Sequence, residues 1–381
     1  MSGGSHRNKP STGQSPRDVS TGVASWLTRR GRAVTVAAGA QTFSYTAEGT
    51  MLLGRRHRRS KGPATAATMS LYYASDVHGS DRCWRKFLGA GRFYGVQTLV
   101  MGGDLTGKAI VPIETREDGS FETTFIGETR AGSTPEELDQ LVDAIRFNGM
   151  YPWVAPADEI ARIRDDAPAR AALLEETMVA ELQRWIALAD ERMADYGIDV
   201  FVMPGNDDVW ACDAVLEAAA HVTACDDRVV MVGPHEMISC GYSNPTPWHT
   251  PRELDEEALY VRIKSLADQL EEPATAIFNL HVPPYDSGLD TANEMNADLT
   301  LKYVGGQPHP IPVGSHAVRQ IIEEVQPLLA LHGHIHESRG EVRIGRTLAI
   351  NTGSEYNSGH IHGAVVTLAG PEVRKHQLVV G

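Results

Sequence analysis

Cysteine is scarce in this chain. Four residues in 381, Cys83, Cys212, Cys225 and Cys240, are widely separated and form no CxxC pair. That excludes a disulfide framework and a thiolate zinc knuckle, and leaves a reducing cytoplasm as the default compartment. No stretch approaches the ~18 consecutive apolar residues of a membrane span, so none is expected. No period of solenoid type recurs. With 42% hydrophobic and 22% charged residues, the composition is ordinary globular material with enough apolar residues for a sizeable core.

Positive charge is scarce over most of the length. Residues 1–68 hold 11 Lys and Arg against Asp18 and Glu48, a balance of +9, whereas residues 69–381 carry −23, which gives the net −14. An acidic body repels a nucleic-acid backbone, so a general DNA- or RNA-binding role is disfavoured unless the head supplies it. The head is rich in Ser, Gly, Thr and Arg, contains Arg55-Arg56-His57-Arg58-Arg59, and lacks sustained periodicity. It reads as disordered. A nucleic-acid or membrane-surface arm, a targeting segment, a tail without function and upstream sequence foreign to the native protein all compete. The last two are favoured, because Met69 stands immediately before the first strand-like run. The expected plan is a head over 1–68 and one domain over 69–381.

The body opens with two short apolar runs, Leu71–Ala74 and Thr98–Met101, separated by a helical pattern from about Ser80 to Phe93. Each run leads into an acid, Asp76 or Asp104, which is a βαβ start with carboxylates at the strand ends. An insertion follows at about 109–197. It is expected to hold a hairpin (109–115 and 121–129), a helix opened by Ser133-Thr134-Pro135, and a long amphipathic helix from about 168 to 196. Its role is expected to be a cap over the site, a surface for a homo-oligomer, or purely structural. Further strands are expected at 199–203, 229–232, 237–241, 276–280, 328–331, 347–350 and 363–368, with helices near 251–270 and 314–325. The order indicates an α/β fold with a β-rich carboxyl half.

Chemistry gathers at the ends of those strands. In order come Asp76-Val77-His78, Gly103-Asp104, Gly205-Asn206-Asp207-Asp208, His281, and Gly333-His334-Ile335-His336. Each fragment alone is weak. Five in this order, each after a strand and each built of carboxylate, imidazole or amide, suit Mn, Fe, Zn or Ni, with no thiolate in competition. The set resembles the calcineurin-like metallophosphoesterases, over about residues 69–369. The resemblance implies a sandwich of two mixed β-sheets flanked by helices and two divalent metal ions. Carried over by position, Asp76, His78 and His336 look like ligands of one ion and Asn206, His281 and His334 like ligands of the other, with Asp104 bridging. A second GHIH at Gly359–His362 follows Asn351-Thr352-Gly353-Ser354, similar to the family's terminal NPGS turn. His360 and His362 are therefore expected at the rim or on the surface, where substrate contact is the alternative.

Gly241–Trp248, Thr250–Glu253 and Gly333–Gly340 resemble a branch of uncharacterised phosphoesterases related to the cyclic-nucleotide phosphodiesterases. Arg252 is a candidate phosphate contact or the partner of a carboxylate such as Glu253. Asp207 stands where much of the superfamily has a His that assists the leaving group. Beside two dications its pKa is expected to fall, making it a poor proton donor.

These readings lead to a dinuclear-metal-dependent phosphodiesterase acting on small phosphodiesters, with Asn206 and Asp207 as catalytic candidates. Two dications roughly 3.5–4 Å apart activate water and polarise the phosphoryl group without a Ser or Cys nucleophile. A catalytically weak metal-binding scaffold and a nuclease are the alternatives. Removing residues 1–68 is expected to leave soluble expression and turnover unchanged; loss of either on deletion contradicts that reading of the head.

Overall fold

A computed structural model of the chain describes residues 68–381. The expected disordered head lies outside the described residues, apart from Thr68, which already belongs to the first strand.

β1 (Thr68–Ala74), α1 (Asp81–Tyr94) and β2 (Thr98–Met101) form the opening βαβ unit, with the two strands parallel. The insertion contributes β3 (Ile110–Thr115), β4 (Phe121–Phe125), β5 (Glu128–Gly132), α2 (Pro135–Phe147), β6 (Tyr151–Pro156), α3 (Ala157–Arg164) and α4 (Ala167–Met193). The main fold resumes with β7 (Asp199–Val202), α5 (Ala211–Glu217), β8 (Thr223–Ala224), β9 (Val229–Val232), β10 (His235–Cys240), α6 (Glu256–Ala267) and β11 (Ile277–Leu280). Short pairs follow from β12 (Thr291–Asn293), β13 (Tyr303–Val304), β14 (Gln307–Pro308) and β15 (Pro310–Pro312). The chain ends with α7 (His316–Val325), β16 (Leu329–His332), β17 (Gly340–Ile344), β18 (Thr347–Asn351), β19 (His362–Ala369) and β20 (Glu372–Val380).

Two six-stranded mixed sheets carry the fold, in the orders β20-β19-β1-β2-β7-β8 and β17-β18-β16-β11-β10-β9. Their central strands are parallel, β1-β2-β7 in one and β18-β16-β11-β10 in the other. Parallel strands covered on both faces read as unbroken apolar runs, which is why Leu71–Ala74 and Leu329–Leu331 carry no alternation of polar residues. Alternate side chains go to opposite layers: Leu71 and Tyr73 enter the core between the sheets with Val100, Phe201, Ile277, Leu329 and Ile350, while Tyr72 and Ala74 meet the helices. α1, α4 and α5 cover one outer face through Trp84, Leu88, Trp185, Ile186 and Leu216. α6 and α7 cover the other through Leu259, Ile263, Val318 and Ile322. The expected α/β sandwich of two mixed sheets flanked by helices is the fold observed. No helix among the described residues is long and apolar enough to cross a membrane.

The insertion is richer than a hairpin with helices. It forms a four-stranded sheet, β5-β4-β3-β6, with a small core of its own built from Val111, Ile113, Phe121, Phe125, Leu141 and Ile145. β6 was not legible because Pro152 and Pro156 argue against a strand. Both are accommodated because β6 is an edge strand paired only with β3, where a missing N–H can face away from the ladder. The stripe along α4 packs on the sandwich: the Trp84 and Trp185 rings stack at 5.2 Å, and Trp84 Nε1 donates to Trp185 O at 3.0 Å.

Leu329 is fully buried between the sheets. Leu329→Ala is expected to destabilise the protein by about 2–5 kcal/mol, read as a lower urea midpoint with an unchanged m-value.

Candidate metal centre

The carboxyl ends of β1, β2 and β7 meet those of β11 and β16, and the loops leaving these strands are held in sparsely populated backbone conformations. Asp76, His78, Asp104 and His334 all have positive φ, at 57°, 38°, 52° and 66°. For residues with a Cβ this costs on the order of 1–3 kcal/mol each and persists only where surrounding bonds fix it. Those bonds are present: Asp76 N donates to Gly103 O at 3.0 Å, His78 N to Asp104 O at 3.0 Å, and His334 N to both Asp76 carboxylate oxygens at 3.0 Å. The glycines of the GH and GN motifs have a steric cause. A Cβ on Gly333 would lie 2.2 Å from Asp76 Oδ2, and one on Gly205 would lie 2.2 Å from Asp104 Oδ1.

Three groups of ligand-type side chains result, Asp76 with His78 and His336, Asp104 with His281 and His334, and His78 with Asp104 and Asp207. His336 Nε2 lies 3.3 Å from Asp76 Oδ1 and 3.1 Å from His78 Nε2. Asp104 stands between the groups: its Oδ2 is 3.5 Å from His78 Nε2 and its Oδ1 is 3.4 Å from His281 Nε2. Asn206 Oδ1 lies 3.0 Å from His281 Nε2, and its amide nitrogen donates to Thr250 Oγ1 at 2.9 Å, which orients the amide oxygen toward the imidazole. All seven residues expected as ligands are thus brought together.

The donors fit divalent cations. His281 Nδ1 donates to Gly102 O at 2.7 Å, so the other nitrogen of a neutral ring offers a lone pair to the Asp104 and Asn206 oxygens. Three electron-rich atoms facing one another require a cation or an extra proton between them. The same geometry raises the His281 pKa to about 10, the Asp104 carboxylate overriding the opposing effect of burial. Burial pushes His78 down to about 3 and His334 to about 4, so these imidazoles stay neutral and available for ligation. His78 Nδ1 is buried without a hydrogen-bond partner.

Asp207 lies at the rim, where its amide donates to Asp104 Oδ1 at 3.0 Å and its carboxylate pairs with Lys108. Burial and the Asp104 charge push its pKa up to about 6, against the pull of Lys108. The expected fall is the effect of two dications, and burial and Asp104 act on Asp207 in the opposite direction. Asp208 is the structural acid of the motif. It is fully buried and accepts from Leu105 N (2.9 Å), Thr106 N (2.8 Å), Thr106 Oγ1 (2.7 Å) and Gly205 N (2.7 Å), tying the loop after β2 to the loop after β7.

Arg252 does not reach toward the centre. Its side chain is 1% exposed, donates to Asp208 O at 3.0 Å and Val209 O at 3.3 Å, pairs with Asp213 at 2.6 Å and lies over the Trp210 ring at 4.3 Å. It braces the Asn206–Asp207 loop from behind, and its carboxylate partner is Asp213. Glu253 is occupied by Thr246 and Thr250. His360 is exposed as expected, whereas His362, at the start of β19, is buried rather than at the rim or on the surface, and both lie near Glu355 at 3.9 and 3.6 Å. They share a cleft with His336 and Arg339. Lys108 and Tyr356, whose ring centroid is 4.8 Å from that of His78, were not found by sequence reasoning. Lys108 follows the GD motif by only four positions, which was the available signal.

No family model matches the chain. An uncharacterized protein of Methanocaldococcus jannaschii is 30% identical over 162 residues, covering 42% of this chain and 65% of that protein. The match therefore spans somewhat under two thirds of the relative. Among solved structures, one from Thermus thermophilus is similar at TM-score 0.46 and 14% identity, over 82% of this chain and 99% of that one. A novel archaeal phosphodiesterase is similar at TM-score 0.29 and 11% identity, over 82% and 100%. Yfce, a phosphoesterase from E. coli, is similar at TM-score 0.27 and 13% identity, over 81% and 98%. These likenesses are remote in sequence and partial in shape.

Asp104→Ala is expected to lower both metal equivalents in elemental analysis, and His360→Ala or His362→Ala neither. Retention of two full equivalents by the Asp104 variant removes the shared-ligand assignment. Asp208→Ala leaves buried donors without an acceptor, at ~1–3 kcal/mol each, and is expected to lower the denaturation midpoint well beyond the effect of Asp104→Ala.

Proposed function

We propose that this protein is a metal-dependent phosphoester hydrolase with two divalent ions, acting on small phosphodiesters as a calcineurin-like metallophosphoesterase does. The observation that supports this best is the position of Asp104 between two ligand groups, 3.5 Å from His78 Nε2 of one and 3.4 Å from His281 Nε2 of the other. One group alone would suit a structural ion. Two groups joined by a single carboxylate suit a pair of ions a few ångströms apart, as in-line phosphoryl displacement uses. Asp76, His78 and His336 would hold one ion, Asn206, His281 and His334 the other, and Asp104 both. The ions would supply a water nucleophile active near neutral pH and neutralisation of charge on the phosphoryl oxygens.

The chain's own residues do the rest. Left-handed backbone at four ligand positions and the Asp208 cradle hold the donors in place before substrate arrives, which favours the transition state over loosely arranged alternatives. The sandwich side of the centre is closed to bulk solvent, since Asp76, His78 and His281 are almost fully buried, whereas His336 and Asp207 are partly exposed. Substrate therefore approaches over the rim. There Asp207 is mostly ionised above pH 7, which favours esters whose leaving group needs no proton.

Removing metal with a chelator is expected to abolish hydrolysis of an aryl phosphodiester, and Mn is expected to restore it. At pH 8, kcat/KM across a series of esters is expected to rise as the leaving-group pKa falls, with alkyl monoesters slowest. The reading is wrong if the metal-loaded protein cleaves no member of the series, and its diester preference is wrong if the dependence is flat.

A further inference from the structure

Among the described residues, Lys108 is the cation paired with the rim acid Asp207, a placement the sequence did not reveal. Lys108 is 55% exposed at its side chain, yet its ammonium turns back to pair with Asp207 Oδ2, an atom only 4.0 Å from His78 Nδ1. The backbone beneath it is fixed from both sides. Leu105 and Thr106 are bonded to Asp208, and Gly107 N donates to Tyr151 Oη at 2.6 Å. Gly107 itself has no room for a side chain: a Cβ there would lie 2.3 Å from Gly149 O. Lys108 thus leaves the protein surface from a rigid point four residues after Asp104, and its flexible stem is held at the far end by a carboxylate.

The charges on this face decide what it can accept. An anionic phosphoryl group entering over the rim meets the Asp207 carboxylate, which by itself repels it. Pairing with Lys108 cancels that repulsion. An ammonium has three N–H donors, and Asp207 occupies one, leaving others for an incoming oxygen. Arg252, the guanidinium that the sequence offered for this task, is spent on Asp208, Val209 and Asp213.

We propose that Lys108 binds a non-bridging phosphoryl oxygen of the substrate, and that Asp207 is the positioning residue that holds the ammonium over the metal centre. This rests on the phosphoester-hydrolase reading and assigns the substrate's phosphoryl group a protein contact at that same site. The pair does by charge what a lone carboxylate at the rim cannot. It also gives the insertion a task, because Tyr151 and Gly149, which fix Gly107, belong to it.

The test uses the full chain loaded with Mn and measures binding of inorganic phosphate by calorimetry, together with metal content and KM and kcat for an aryl phosphodiester. Lys108→Met is expected to weaken phosphate binding and raise KM by about tenfold or more at unchanged metal content. Lys108→Arg is expected to recover part of the loss, and Asp207→Asn to weaken phosphate binding by a smaller factor. Phosphate affinity within twofold of the parent in Lys108→Met overturns the proposal while leaving hydrolysis by the parent intact. Loss of metal in that variant also overturns it, by making Lys108 a brace of the ligands. Absence of turnover in the parent instead strikes the hydrolase reading, and the phosphate titration then still decides whether Lys108 contacts an anion.

Discussion

Two buried carboxylates, Asp76 and Asp104, sit at the meeting point of two sheets, and the rest of the structure answers to their charge. Both stay ionised although burial alone would raise their pKa values. His336 acts on Asp76 through a hydrogen bond and its charge, and His281 acts on Asp104, in each case outweighing burial. Removing charge from water without compensation is prohibitive, so imidazoles must surround these groups. The backbone N–H of His334 bonds both oxygens of Asp76, and that of Asp207 bonds Asp104. The conformations that aim those groups are sterically unfavourable and depend on the sandwich for their support.

That support is layered. The inter-sheet core fixes where the parallel strands end, and the helices on each outer face fix how far the sheets can slide. Asp208 and Arg252 then lock the loops. Neither group points into the centre, yet both bear on it: Asp208 joins two loops through buried hydrogen bonds, and Arg252 buttresses the segment that presents Asn206 and Asp207. A carboxylate and a guanidinium so completely occupied are poor candidates for reaction and good ones for preorganisation. The insertion adds a sheet with its own small core and reaches the centre through Tyr151 and Gly149, so it is structurally coupled to the loop that bears Asp104.

The neighbouring acids Asp207 and Asp208 show how differently adjacent residues of one type are used. Asp208 points inward to four donors, whereas Asp207 points to the rim and to Lys108. The direction in which each side chain leaves the loop separates a structural acid from one at the rim of the centre. Nothing in the tetrapeptide Gly-Asn-Asp-Asp distinguishes the two roles.

The sequence by itself determined the strand-end pattern. Short apolar runs, each followed by an acid, an amide or a histidine, marked the parallel strands and the side chains that gather at their carboxyl ends, because that edge is where an α/β sheet leaves side chains free to converge. The first Gly-His-Ile-His was separable from the second for the same reason: one follows a buried strand and the other precedes one. Edge elements such as β6, β17 and β20 were not legible, since strands paired or covered on only one side tolerate proline and polar residues. Only the tertiary structure decided that Arg252 is buried against Asp213, that Lys108 folds back onto Asp207, and that burial with Asp104 raises the Asp207 pKa. Each depends on which groups distant in sequence are brought within a few ångströms. Electrostatic energy varies with that separation and with the water left between charges, and neither is written in the order of residues.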